Sequence, residues 1–158
     1  MTKTILVPVD LNVASLNTLR LALESLPDQK IKVMLMYPKN MDGNISDLLF
    51  LSPYRIIQSL ISPEYKEALE IIKNRFSEKL VYVTTKLFYG NTTAFLKNFI
   101  EANAIDAIIV PKNYKFQTGN QLFDPVPLLK KAKIPVFEIN FSTADKQAQS
   151  EQLFSLFN

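Results

Sequence analysis

Residues 110–139 read VPKNYKFQTGNQLFDPVPLLKKAKIPVFEI, and the order of signals within them decides the fold class. An apolar strand pattern ends at Val110 and Pro111. A long polar loop follows, then a helix start at Asp124-Pro125, then a second strand run from Ile134 to Phe141. Strand, loop, helix and strand in that order make a βαβ unit with parallel strands and a right-handed crossover. In such a unit the loop between strand end and helix start is where an anion meets backbone amides and the positive end of the helix dipole. Loops of this kind are usually rich in glycine, because bare backbone must approach the ligand. This one holds only Gly119, with Pro, Lys, Tyr and Asp around it.

The same alternation extends back to the start of the chain. TILVPVD (residues 4–10) is a near-continuous apolar run closed by Asp10, the pattern of a strand buried on both faces. Val13, Leu16, Leu19, Leu23 and Leu26 then repeat at helical spacing, with Asn12 as expected N-cap and Pro27 as stop. IKVMLMY (31–37), VYVTTKLF (81–88) and DAIIVP (106–111) are further strands, and TTAFLKNFIEAN (92–103) is a helix led by Gly90-Asn91. Ser52-Pro53 and Ser62-Pro63 each read as an N-cap followed by Pro in the first helical turn, the second helix running to about Glu78. Asp124-Pro125 opens a last helix over PVPLLKKA. Tyr82, Phe88, Phe95 and Phe99 fit strand and helix core faces. The expected fold is one α/β domain over residues 1–141, doubly wound, with five parallel strands in the order 3-2-1-4-5 and helices on both faces. Residues 142–158 form a C-terminal tail.

Composition narrows the chemistry. The chain has 158 residues, 47% of them hydrophobic, and a net charge of +3. Its lysines are scattered, so nucleic acid is not an expected partner. No uninterrupted apolar run reaches about 18 residues, so no membrane span is expected. Absence of cysteine excludes disulfides and fits a cytoplasmic setting. With neither His nor Cys, a Ser-His-Asp triad, a Cys nucleophile and a Cys/His zinc site are all excluded. No carboxylate pair stands out for acid–base work. The expectation is a protein without catalytic residues, metal or cofactor.

In a doubly wound sheet of this order, ligands bind beyond the carboxyl ends of the first and fourth strands. Pro8 and Asp10 lie at one of these ends, Val110 and Lys112 at the other, and Asp124 at the following helix start; these five are the candidate cleft residues. Asp10 either contacts a polar ligand or ends its strand and caps the next helix. Lys112 either binds an anion as a point charge or is a solvated loop lysine. The segment from Met41 to Ile61 is too apolar for a solvated loop, and is read as a lid, a partner surface or packing over a sheet edge.

These pieces, in this order, resemble the universal stress protein family. ILVPVD followed by an amphipathic helix looks like that family's opening, in which the Asp faces the adenine of ATP. FYGNTTAFLKNFIEANAIDAIIV and LFDPVPLLKKAKIPVFEI look like its third strand, Gly-led helix, fourth strand, closing helix and last strand. The family's ATP-binding members carry Gly, two residues, Gly, nine residues, then Gly-Ser or Gly-Thr. At that spacing this chain has Pro111, Tyr114, Asp124 and Pro125. Pro111, Pro125 and Pro127 have no N–H to offer a phosphate. Asp124 at the helix start takes the donors a phosphate would use and repels its charge. The resemblance therefore implies a domain of the type that does not bind ATP. It also implies a homodimer through the last strand, Ile134 to Phe141, acting in stress response through protein contacts, with Met41 to Ile61 as a second possible partner surface. The alternative is a module holding a nucleotide or other small ligand in an altered cleft around Asp10 and Lys112.

Overall fold

A computed structural model describes residues 2–39, 52–117 and 122–141. Five strands are present: β1 (Lys3–Pro8), β2 (Ile31–Pro38), β3 (Leu80–Phe88), β4 (Ala107–Pro111) and β5 (Val136–Ile139). The helices are α1 (Asn17–Ser25), α2 (Pro53–Leu60), α3 (Pro63–Arg75), α4 (Thr93–Ala102) and the single turn α5 (Val126–Leu129). The sheet order is β3-β2-β1-β4-β5 with every pairing parallel, as the alternation predicts. Leu6 of β1 registers with Met34 of β2 and with Ile108 of β4, which places β1 at the centre.

The central strands read as unbroken apolar runs because both their faces are covered. On one face α1 and α3 pack Leu19, Leu23, Tyr65 and Ile72 against Ile5, Val7, Val33 and Leu35. On the other, Leu96 of α4 and Leu129 of α5 close over Leu6, Met34, Met36 and Ile108. A smaller cluster joins Ile56 and Ile57 of α2 to Tyr37 and Leu87. Truncating one of these buried leucines or isoleucines to Ala would cost about 2–5 kcal/mol.

The caps follow the sequence signals. The side chains of Ser52, Ser62 and Thr92 accept from the backbone N–H groups of Arg55, Tyr65 and Phe95 at 3.2, 3.1 and 3.1 Å. At the other end of α4 the N–H of Ile105 reaches the carbonyl of Ile100 and that of Ala104 reaches Glu101, the Schellman pattern. Ala104 there adopts φ 51°, a left-handed conformation that favours glycine. Gly90 sits where an added Cβ would lie 2.3 Å from the Phe95 ring, so glycine is needed for close approach.

Four expectations need correction. Asn12 makes no side-chain cap; a 3₁₀ turn over Val13–Leu16 precedes α1, which begins only at Asn17. The second Ser-Pro helix stops at Arg75, short of Glu78, because the chain turns so that the Lys79 ammonium can donate to the carbonyls of Leu23 and Leu26 at 2.8 and 2.9 Å. The closing helix is one turn, after which 3₁₀-type bonds run from Lys131 to Leu128 and from Ala132 to Leu129. Pro127 within it has no N–H to extend a helical ladder. Of the aromatics, Phe88 is buried and Phe99 half-buried, whereas Tyr82 and Phe95 are exposed, because nothing among the described residues covers them fully. The tail over residues 142–158 and residues 41–51 of the segment from Met41 to Ile61 lie outside the described residues. Among those described, no helix is long and apolar enough to cross a membrane.

Candidate functional site

The carboxyl ends of β1 and β4 meet at the switch point of the sheet, and Asp10 lies there, only 6% exposed. A buried carboxylate needs donors, and this one has three. Its Oδ1 accepts from the backbone N–H of Asn12 at 3.0 Å. Its Oδ2 accepts from the hydroxyl of Tyr114 at 2.5 Å and from the backbone N–H of Gln117 at 3.1 Å. The Asn12 contact requires a sharp turn directly after Asp10, which Leu11 supplies by adopting φ 66°. A left-handed conformation costs a non-glycine residue about 1–2 kcal/mol. Ser15 fixes the same turn: its Oγ accepts from the Asp10 N–H at 3.3 Å and donates to the Asn12 carbonyl at 2.8 Å.

The loop after β4 is thus folded inward. Tyr114 lies edge-on to Phe116 with ring centres 5.1 Å apart, and its other neighbour is Phe141, beyond β5, at 5.7 Å. Further along, Leu122 forms an antiparallel bridge with Lys39 at the end of β2, and the Lys39 N–H donates to the carbonyl of Phe88 at 2.9 Å. The loop is pinned at Tyr114–Gln117 to Asp10 and at Leu122 to β2; residues 118–121, including Gly119, lie outside the described residues.

Three tyrosines surround the carboxylate electrostatically. Burial, and then the negative charge of Asp10, push the Tyr37 hydroxyl up to about 12. The Tyr65 hydroxyl is also raised, first by burial and then by Asp10. Tyr114 is raised by burial and by its hydrogen bond to Asp10. Tyr65 is fully buried and its hydroxyl has no hydrogen-bond partner among the described residues. An unmet buried hydroxyl costs about 1–3 kcal/mol.

The five candidate residues do not converge. Pro8 and Val110 are buried strand residues; Pro8 pairs with Met36, and Val110 pairs with Glu138. Lys112 is exposed and continues the sheet through its N–H, which donates to the Ile139 carbonyl at 2.8 Å. Asp124 is exposed, and its Oδ1 accepts from the Val126 N–H at 3.0 Å; α5 begins at Val126, with Pro125 rather than Asp124 in the cap position. Among the described residues no ion pair joins Asp10 to Lys112. Both readings of Asp10 miss its main partner. The carboxylate does bind a nearby amide, yet Tyr114 and Gln117, more than a hundred positions away, are what enclose it. Spacing marks Tyr114 as bulk in place of a glycine; nothing in the sequence says where its hydroxyl points.

A carboxylate has about four acceptor sites, and three donors already meet this one. One acceptor position is left, on Oδ1, which among the described residues takes only the Asn12 amide. The arrangement holds a loop down; it does not present a free base. A shallow depression of about 520 Å³ remains outside it, lined by Asn12, Ser62, Glu64, Tyr114 and Lys115 among others.

These features define a doubly wound α/β domain whose switch-point carboxylate is bound by the loop after its fourth strand. The fold is that of solved universal stress proteins and their neighbours. The hypothetical protein PH0823 matches with a TM-score of 0.55 and 19% identity over 87% of this chain and 95% of its own. Hypothetical protein MJ0577, described as a structure-based assignment of biochemical function, matches with a TM-score of 0.52 and 18% identity over 90% and 98%. Universal stress protein UspA from Lactobacillus plantarum matches with a TM-score of 0.50 and 14% identity over 87% and 97%. No family model and no curated protein matches the sequence.

Proposed function

We propose that this chain is a universal stress protein-like domain that does not bind ATP and acts without catalysis, through contacts with other proteins, as a cytoplasmic homodimer in stress response. The observation that carries this reading is the 2.5 Å hydrogen bond from Tyr114 to Asp10. By the family resemblance, Asp10 stands where adenine is met and Tyr114 where a glycine lies near the phosphates. The two are joined to each other here. Pro111 and Pro125 contribute no amide to an anion, and the Asp124 carboxylate has taken the Val126 amide.

The dimer is expected at the β5 edge by the same resemblance. Phe137 is half-buried on that strand, so pairing with a two-fold mate would complete its cover. Phe137→Asp is the variant to use, since Ile139 is fully buried and its replacement would test the core. Native mass spectrometry of the purified chain reads both parts. The expected species is a dimer without bound nucleotide that Phe137→Asp converts to monomer. A stable wild-type monomer would remove the dimer, and a co-purified nucleotide would remove the closed cleft. A second reading, a small ligand in the altered cleft, rests on the depression beside Tyr114. In it the ligand meets Tyr114 and Lys115 at the wall of that depression.

A further inference from the structure

The two edges of the sheet differ. β5 has four residues and β3 has nine. β3 pairs with β2 on one side, and no described strand pairs with its other side. Of the seven exposed large hydrophobic residues among those described, Tyr54 on α2 faces the groove beside this edge, and Val81 and Tyr82 lie on β3 itself. Val81 and Tyr82 are 47% and 45% exposed. A long, exposed, apolar edge strand presents a row of unpaired amides and carbonyls, and it templates pairing with another chain.

Beside that edge runs a groove of about 330 Å³ between α2 and α3, with Ile57, Ile61 and Leu69 among its apolar lining and Thr84 and Thr85 at the strand. Its charged lining is Lys66, Lys73 and Glu70, and Glu70 is bound by Lys73 at 3.2 Å. On the other face of the strand, Lys32 sits over the Tyr82 ring and Lys86 donates to Asn103. The flank therefore carries a positive excess around an apolar floor. A second copy of the same edge would set these lysines against themselves, since a two-fold contact presents one surface to its own image.

We propose that the β3 edge is a strand-addition site for an extended apolar segment of another protein, carrying an acidic residue that faces Lys66. The inference rests on the reading that this domain works through protein contacts, and it names the surface and the chemistry of the partner. Backbone hydrogen bonds to β3 supply the affinity, and alternate side chains of the incoming strand enter the groove.

The probe is a blocked synthetic peptide with valine at alternate positions and serine between them, one valine of the groove-facing row replaced by glutamate to meet Lys66, matched in length to β3 and titrated into the full chain. The expected result is saturable binding with new hydrogen-exchange protection at β3. Lys66→Glu, at an exposed position that leaves the fold intact, should weaken binding about tenfold. Methylating alternate peptide nitrogens on the side facing β3 should abolish it. Absence of binding overturns the proposal, and so does binding indifferent to N-methylation. It is equally overturned if the β3 amides are already protected in the full chain and lose that protection on dilution or on removal of residues 142–158, for then the occupant is a second copy or the chain's own tail. Failure of the peptide leaves the nucleotide question untouched, since that is read with ATP and not with the peptide.

Discussion

The cleft at the ends of β1 and β4 and the flank at β3 are opposites. In the cleft a buried carboxylate is met by three donors, and the loop that could have opened it is tied down at two points. At the flank a nine-residue strand ends the sheet with Val81 and Tyr82 exposed beside a groove. A doubly wound sheet ordinarily concentrates recognition at its switch point. Here the polar groups at that point bond one another, and exposed apolar side chains lie at an edge strand. The contrast teaches that one fold can differ in which of its surfaces are left free for contact.

The contrast breaks most visibly if Asp10 is removed. Asp10→Ala leaves the Tyr114 hydroxyl and the Asn12 and Gln117 amides without their acceptor, and should lower stability by about 3 kcal/mol in chemical denaturation. Tyr114→Phe removes one hydrogen bond to a charged acceptor and should cost about 2 kcal/mol. Losses near zero would mean the loop is not held by this contact.

Alkaline pH probes the same cluster. The Tyr37, Tyr65 and Tyr114 hydroxyls are raised above their ordinary value of 10.0. The folded state thus holds their protons more tightly than the unfolded state. That stabilisation is complete below pH 10 and is lost as pH rises from there, through about 12 for Tyr37. Denaturation midpoints measured across that range should fall steadily, and more gently in Tyr114→Phe. Tyrosine absorbance titrating fully near pH 10 would contradict the enclosure.

Backbone strain gives a smaller test. Leu11 and Ala104 are both left-handed, but only Leu11 lies at the cleft, where its side chain also packs into the core. Ala104→Gly relieves the helix-end strain with no packing loss and should gain up to about 1 kcal/mol. Leu11→Gly should show no such gain. Smallest of all is the flank: Tyr54→Ser, at a position 69% exposed, should change stability by no more than about 0.5 kcal/mol. A loss of several times that would mean the flank is interior in the protein's working state.

Most of the fold was legible because apolar runs, Ser-Pro caps and breaker residues each act locally. ILVPVD announces a strand covered on both faces, and Ser52-Pro53 and Ser62-Pro63 announce helix starts, all without help from distant residues. The loss of the glycine spacing was legible too. What could not be read is the pairing of Tyr114 with Asp10, a contact set by how a loop folds across the sheet. The left-handed turn at Leu11 was hidden for a related reason: leucine carries no preference for that conformation, and only the packing and hydrogen bonds around it impose it. Tyr82 and Phe95 misled because an aromatic at core spacing stays exposed where no element among the described residues covers it.

The central claim is that the cleft no longer accepts ATP, and thermal denaturation with millimolar ATP and magnesium tests it most directly. A ligand that binds only the folded chain stabilises it by about 2.7 kcal/mol at a hundredfold excess over Kd. The account predicts a melting temperature unchanged by ATP. A clear upward shift in the wild-type chain, lost when Asp10 is replaced, would contradict it.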